Sequence, residues 1–509
     1  MEITETFEAS VQLRRSGDAL GTRLGLVILW SADEPERVGE VALAPDDRPG
    51  ATYLLGRAEA SGDDPAPRLE WARQRPGLVT LTGPLRSPRL SRTQLAVELG
   101  QGVLHLDNRG RSPLLLGGRE VQRATLAPDD VVVLARVAVF MCVRRPAAIA
   151  PADPPLPLHP FGDADADGIV GEDPLTWALR ARVAFVAGRN AHVLVRGPSG
   201  TGKELVAQAV HRHSARGRRA LVARNAATFP ETLIDAELFG NARNFPNTGT
   251  PERPGLVGEA DGGTLFLDEF AELPQPLQAH LLRVLDGGEY SRLGEAAARR
   301  ADFRLIAATN RSEQALKDDV LARLPLRLEL AGLGERRADI PLIARHILRR
   351  LARADPLLAR RFFPDGDPAR PPRVSWRLIE QLASHRFTTH VRELESLLWR
   401  AMTASTGDTV DVADPADEPH VFADMSHEPR PAGGRSPDRS DSLADTAPPA
   451  PAPPGLDPLT IPPDVIQRCL DRHEGRQEPV WRELGLSSRH VLTRLVRRYN
   501  LQVRGRGGA

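Results

Sequence analysis

The chain has 509 residues and balances 67 basic against 67 acidic groups, so no whole-chain field selects a nucleic acid, a membrane surface or an acidic substrate. Two cysteines, Cys142 and Cys469, exclude a disulfide scaffold and a cysteine-rich zinc centre and suit a reducing compartment. The opening MEITETFEAS holds no apolar signal segment and no apolar run nears the roughly 20 residues that cross a bilayer, so a cytoplasmic chain of roughly three domains with no membrane partner is expected.

Residues 1–20 are polar and read as a tail. From 21 to 146, short β-like runs are broken by turn residues: GLVILWS, VGEVALAP, ATYLLGR, LVTLTG, TQLAVELG, GVLHLDN, SPLLLGG and VVVLARVAVFMCV. Their regular spacing predicts an all-β sandwich. Gly56-Arg57 closes one run, Ser91-Arg92 stands at a loop-to-strand junction, and DNRGRSPLLLGG forms a later loop. These places resemble the forkhead-associated (FHA) domain, whose loops bind phosphothreonine peptides. The resemblance implies that Arg57 and Ser91 hold the phosphate, with Arg92 and Ser112 in the same site, and that a phosphothreonine-containing protein is a partner. A guanidinium fork and a hydroxyl donor suit a phosphate. Two positions depart from that family: Gln94 stands for its His, and Ser112-Pro113 for its Asn-Gly.

Residues 147–167 are rich in Pro, Ala and Asp and read as a linker. From 168 to 335, apolar runs such as HVLVRG, ALVARNA, GTLFLDE and FRLIAATN alternate with helical stretches, which predicts a parallel sheet with helices on both faces. Within it, Val193, Leu194 and Val195 lead into GPSGTGKE, and ELVAQAVHRHS reads as the helix that follows. Strand, glycine-rich turn and helix at GxxxxGK spacing form a phosphate-binding loop. Gly197, Pro198, Ser199, Gly200, Thr201, Gly202, Lys203 and Glu204 are its members. Only two lysines occur in the chain, Lys203 and Lys317, and the first stands where a phosphate loop needs a compact ammonium. A second motif, GGTLFLDE at 262–269, ends an apolar strand in Asp268-Glu269. Asp268 is suited to Mg²⁺ and Glu269 to polarising a water.

Residues 336–407 are largely helical and read as a small lid, interrupted by FFPDGDPARPPR. Residues 408–458, rich in Pro, Ala, Asp and Ser, read as a disordered linker. At 459–504 the pattern is helical again, and WRELGLSSRHVLTRLVRR has the shape of a helix-turn-helix, with Gly485 in the turn and Ser487 as the cap. No acidic residue follows Glu483, so Ser487, Ser488, Arg489, His490 and Arg494 are the candidate DNA contacts.

GPSGTGKELVAQAVHRHS, DAELFG, GEADGGTLFLDEFAELPQPLQAHLLRVLDGGEYSRLG, FRLIAATN, ERRADIP and VREL together resemble the AAA+ ATPase domain of sigma-54-dependent transcription activators. The expected fold is therefore multidomain: an FHA-like β-sandwich, an α/β AAA+ P-loop domain with a helical lid, and an all-α, Fis-like helix-turn-helix. The resemblance implies ATP and Mg²⁺ as cofactors, hydrolysis to ADP and phosphate, a homo-oligomeric ring, and DNA and sigma-54 RNA polymerase as partners. It assigns phosphate binding to Gly197 through Glu204, Mg²⁺ and water to Asp268 and Glu269, restraint of the glutamate to Asn225, sensor roles to Asn310 and Arg392, and the fingers acting on a neighbour to Lys317 and Arg323. Lys317 replaces an arginine of the family. The family's GAFTGA loop, which touches sigma-54, reads NFPNTG at 244–249, and WPGNVREL reads FTTHVREL at 387–394. Two readings stay open: an ATP-driven remodeller of sigma-54 polymerase, or a phospho-responsive DNA-binding regulator whose AAA+ unit binds ATP for assembly alone.

Overall fold

A computed structural model describes residues 21–412, apart from 46–47, 59–65, 231–232 and 313–314, together with 463–473, 480, 484, 492 and 499. The chain divides into two compact units, Met1–His427 and Glu428–Ala509. In the second unit, a helix spans Pro463–Arg472 and buries Ile466, Cys469 and Leu470. The candidate DNA contacts Ser487, Ser488, Arg489, His490 and Arg494 lie outside the described residues, as does most of the 408–458 stretch.

Among the described residues, the N-terminal part of the first unit holds twelve strands: β1 (Thr22–Ser31), β2 (Val41–Leu43), β3 (Thr52–Leu55), β4 (Ala72–Arg75), β5 (Leu78–Leu81), β6 (Leu95–Leu99), β7 (Leu104–Asn108), β8 (Leu114–Leu116), β9 (Arg119–Val121), β10 (Arg123–Leu126), β11 (Val131–Leu134) and β12 (Ala138–Pro146). They form an eight-stranded sheet, β5-β4-β2-β1-β12-β11-β8-β9, and a four-stranded sheet, β10-β7-β6-β3, with neighbouring strands antiparallel. The run VVVLARVAVFMCV divides into β11 and β12 at Ala135–Val137. The strand ARQR and the short β9 and β10 are additions to the runs read from sequence, because their residues are largely polar.

Alternation along β1 and β12 explains why they read as continuous apolar runs. Leu24, Leu26 and Ile28, with Phe140 and Cys142, pack into the sandwich around Trp71, Leu95, Val97 and Leu106. Their neighbours Val27, Leu29, Val139, Met141 and Val143 point to the opposite face and pack on Ala338, Ile379 and Ala383. Both faces of this sheet are therefore buried, and the second cover is supplied by residues read as a lid.

The central part builds a parallel five-stranded sheet from β13 (Val193–Arg196), β14 (Leu221–Asn225), β15 (Thr264–Asp268), β18 (Arg304–Thr309) and β19 (Leu326–Glu329), in the order β14-β15-β18-β13-β19. A small antiparallel pair, β16 (Glu289–Tyr290) and β17 (Arg299–Arg300), stands apart. Around the sheet lie α1 (Pro174–Ala187), α2 (Lys203–Arg212), α3 (Ile234–Phe239), α4 (Gly255–Glu259), α5 (Gln275–Gly287) and α6 (Asp318–Arg323). The lid follows as α7 (Ile340–Ala354), α8 (Pro356–Phe362), α9 (Trp376–Ser384) and α10 (His390–Ala404). Local chemistry sets the starts of these helices. Asp173 caps α1 through Leu175 N, Asp355 caps α8 through Leu357 N, and Ser375 caps α9 through Leu378 N.

Polar bonds fix the sandwich to the rest. Trp30 Nε1 donates to Val374 O (2.8 Å), Arg75 pairs with Glu172 (3.1 Å), and Arg145 pairs with Asp173 (3.0 Å). The 147–167 segment forms no helix or strand, yet it is pinned by Gly162 N donating to Glu172 (2.7 Å) and by Arg180 pairing with Asp165 (2.8 Å).

At the start of α10, the Glu393 carboxylate accepts from His385 Nε2 (2.8 Å), Thr388 N (2.7 Å), Thr388 Oγ1 (3.0 Å) and Thr389 N (2.9 Å). Burial alone would push this carboxyl up, but the bonds from His385, Thr389 and Thr388 outweigh it and bring it down to about 2. Because the folded value lies below the ordinary one, the ionised carboxylate stabilises the fold above pH 4.5, and that contribution is lost as pH falls through about 2. Glu393→Gln should therefore destabilise the lid by about 1–3 kcal/mol near neutrality. The gap in urea midpoint between variant and wild type should narrow as pH falls below 4.5; a gap independent of pH would show that ionisation is not what holds α10.

Candidate functional site

The phosphate-binding loop sits between the C-terminal end of β13 and the start of α2. Lys203 is buried, and its Nζ donates to Gly197 O (3.1 Å) and Pro198 O (3.3 Å), so the ammonium lies inside the curl of the loop. Thr201 Oγ1 donates to Pro198 O (2.9 Å). Glu204 is in the first turn of α2, where its carboxylate accepts from Gln208 (3.3 Å). Gly202, at φ 100°, caps α2 and leaves its first N–H groups facing the loop.

The lid meets this loop directly. Val391 N donates to Gly200 O (3.0 Å), and Arg392 donates to Ser199 Oγ (3.3 Å). Gly200 has φ 78°, and a Cβ there would lie 2.1 Å from Thr389 O. Only glycine fits both the backbone conformation and the approach of the lid.

Asp268 ends β15, which β18 separates from the loop's strand β13, and Glu269 follows it at the start of a 3₁₀ turn. Asp268 Oδ1 accepts from Glu269 N (2.9 Å), and its other oxygen makes no hydrogen bond to a described residue. Glu269 adopts φ 49°, ψ 43°, an uncommon conformation for a non-glycine residue. Its Oε1 faces Asn310 Nδ2 at 3.4 Å, while its Oε2 is buried without a hydrogen-bond partner among the described residues. A carboxylate with one uncommitted oxygen is the hard oxygen donor that Mg²⁺ takes, and no cluster of three or more candidate ligands occurs among the described residues. One such carboxylate, completed by waters and phosphate oxygens, is a donor set that Mg²⁺ accepts.

Three predicted site residues stand apart from this group. Asn225 uses its side chain to accept from Ala227 N (2.9 Å) and makes no bond to Glu269, so it caps a 3₁₀ turn in this conformation. Lys317 is exposed at the start of α6. Arg323 forms a two-pronged pair with Asp286 of α5, and that bond, foremost, holds the aspartate below its ordinary range. Both residues therefore lie on the surface of the chain.

Residues 241–253 form a closed loop. Asn241 is buried, with its amide donating to Ala242 O (3.0 Å), Phe245 O (3.3 Å) and Pro251 O (2.9 Å). Asn244 N donates to Thr250 O (2.8 Å), and the Phe245 ring rests on Gly294, where a Cβ would lie 2.5 Å from Cγ.

In the β-sandwich, Arg57 N donates to Ser91 O (3.1 Å) and Ala58 N to Arg92 O (3.3 Å), which brings Arg57, Ser91 and Arg92 to one rim. Ser91 Oγ accepts from Arg111 N (3.1 Å), a neighbour that the sequence reading did not single out. Ser112 is turned inward: it is buried, and its hydroxyl donates to Arg89 O (2.8 Å). Gln94, in the place of a histidine, binds Asn108 Oδ1 (2.7 Å) and Ser112 O (3.0 Å) and ties the later loop to this rim.

With this geometry in view, the comparisons are specific. Residues 169–332 match the sigma-54 interaction domain. The chain is 40% identical over 252 residues to the Nif-specific regulatory protein of Bradyrhizobium diazoefficiens, covering 48% of this chain and 41% of that protein. It is 32% identical over 346 residues to the transcriptional regulatory protein ZraR of Escherichia coli K12, covering 66% of this chain and 70% of that protein. A crystal structure of NtrX from Brucella abortus in complex with ADP aligns with TM-score 0.42 at 24% identity, over 66% of this chain and 70% of that one. The chain belongs to the family of transcriptional regulators built on a sigma-54 interaction domain.

Proposed function

We propose that the protein is an ATP-dependent transcriptional regulator that acts as a ring. The observation that carries this is the Glu269 carboxylate, held in a left-handed conformation at the end of β15 with one buried oxygen uncommitted. Such a group is poised to orient a water. Lys203 and the N–H groups from Gly197 to Glu204 would hold the triphosphate, and Asp268 would hold Mg²⁺, which supplies charge neutralisation at the phosphates. Asn310 orients Glu269, and Arg392 reads the nucleotide from the lid. Arg323 and Lys317 of one copy would complete the site of the next. The phosphothreonine role proposed for the β-sandwich rests on Arg57, Ser91 and Arg92, with Ser112 supporting from beneath. The DNA-binding role rests on the basic sequence around Ser487 to Arg494.

A second reading keeps ATP binding and assembly but removes remodelling of sigma-54 polymerase. It is favoured by the loop at 241–253, whose amide of Asn241 and ring of Phe245 fold it onto the domain surface. A loop that closes on itself has fewer groups free to grip a partner. Open-complex formation at a sigma-54 promoter with ATP and the purified chain separates the two readings: activation supports the first, and ATP-dependent assembly without activation supports the second.

Two substitutions test the chemistry. Glu269→Gln should lower ATP turnover at least about a hundredfold while ATP binding is kept; persistent turnover would remove Glu269 from the mechanism. Lys317→Arg should raise turnover several-fold, since the planar fork grips a phosphate better than an ammonium does. A rate that stays level in the arginine variant would mean that residue 317 does not reach the neighbouring site.

A further inference from the structure

A cavity of about 470 Å³ lies where the sandwich, the 147–152 segment, α1 and the chain after β19 meet. Its size falls within the roughly 300–1,000 Å³ of small-molecule sites. Pro146, Ile149, Leu175, Leu179 and Leu330 give it apolar walls. No residue of the phosphate loop lines it, nor does Asp268, Glu269, Asn310 or Arg392, so it is separate from the nucleotide site.

Arg336 also lines this cavity. It is only 7% exposed, and its Nε has no hydrogen-bond partner among the described residues. The carboxylates around it are committed elsewhere. Asp339 accepts from Glu172 N, Asp173 N and Thr176 Oγ1, and Asp173 is taken by Arg145 and Leu175 N. Of the two acidic residues in the cavity wall, Glu329 pairs with Arg196 and Glu335 accepts from Gly332 N (3.1 Å). Of the two arginines in the wall, Arg182 is half-buried and Arg336 is buried, with its Nε unspent among the described residues. A buried N–H of a cation without a hydrogen-bond partner is costly, and an anion that reaches it gains a charge-assisted bond in a low dielectric.

We propose that this cavity binds a small apolar molecule carrying a carboxylate, with the carboxylate on Arg336 and the apolar body along Ile149, Leu175 and Leu179. One wall residue, Leu330, is bonded to the strand that leads into the nucleotide loop. Leu330 N donates to Arg196 O (2.8 Å), one residue before Gly197, so an occupant rests against the back of the phosphate-binding turn.

The test is calorimetric titration of the full chain with octanoate and with its neutral counterpart octanamide. Octanoate should bind saturably, and at least about tenfold more tightly than octanamide. Arg336→Gln should weaken octanoate about tenfold and leave octanamide nearly unchanged. If that variant does not fold by circular dichroism, Ala178→Trp is the second arm: it fills the cavity from α1 and should abolish binding of both ligands. The absence of saturable octanoate binding, equal affinity for the two ligands, or binding that survives Ala178→Trp would each overturn the proposal.

Discussion

The buried carboxylate of Asp339 is the point on which the first unit depends. It accepts from Glu172 N (2.8 Å), Asp173 N (2.9 Å) and Thr176 Oγ1 (2.6 Å), and so ties the start of the lid to the start of α1. The two residues it holds each reach outward. Glu172 takes Arg75 of β4, Gly162 N and Trp177 Nε1, while Asp173 takes Arg145 of β12. Sandwich, connecting segment, core and lid thus meet at three adjacent acidic side chains. Burial pushes the Asp339 carboxyl up, with Asp173 adding to it, and Arg336 acts against that rise. Buried charge of this kind adds little net stability, but it penalises every arrangement in which one partner is missing. Its contribution here is to specify one geometry.

That geometry has a mechanical consequence. The lid touches the phosphate loop through Val391 and Arg392, and it touches the sandwich through Ile379, Ala383 and Trp30. A lid displaced from the loop must either carry the eight-stranded sheet with it or expose Val27, Leu29, Val139 and Met141 to water. Each such side chain costs about 1.5–3 kcal/mol to expose. The sheet is therefore packed to the lid as one body that already engages the loop.

The sequence made the core legible because its signals are local. GxxxxGK between a strand and a helix, and an acidic pair at a strand end, depend on neighbours along the chain, and the parallel sheet places both at the same edge. The sandwich was legible from period-two apolar runs. What the sequence hid depends on distant residues. VVVLARVAVFMCV shows that both faces of its strands are apolar, but not that Ile379 and Ala383 cover the second face. Gln94 reads as a lost histidine, yet it is a buried organiser with bonds to Asn108 and Ser112. Ser112 reads as a surface hydroxyl and is spent on Arg89 O. Arg336 and Asp339 lie in ERRADIP, which marks the family without telling that Arg336 is buried in a cavity wall with its Nε unspent.

A non-glycine residue in the left-handed region costs about 1–3 kcal/mol, and a buried oxygen without a partner adds to that. Neither cost helps β15 form, since the strand is complete at Asp268. The conformation persists because surrounding contacts over-determine it: Asp268 Oδ1 takes the Glu269 N–H, Asn310 faces Oε1, and Phe270 is fully buried immediately after. A fold that holds one carboxylate in a costly position just past its own strand end keeps strain where the proposed hydrolysis would take place. Relieving that strain by Glu269→Gly would be expected to stabilise the turn, which is the reverse of what a merely structural glutamate would do.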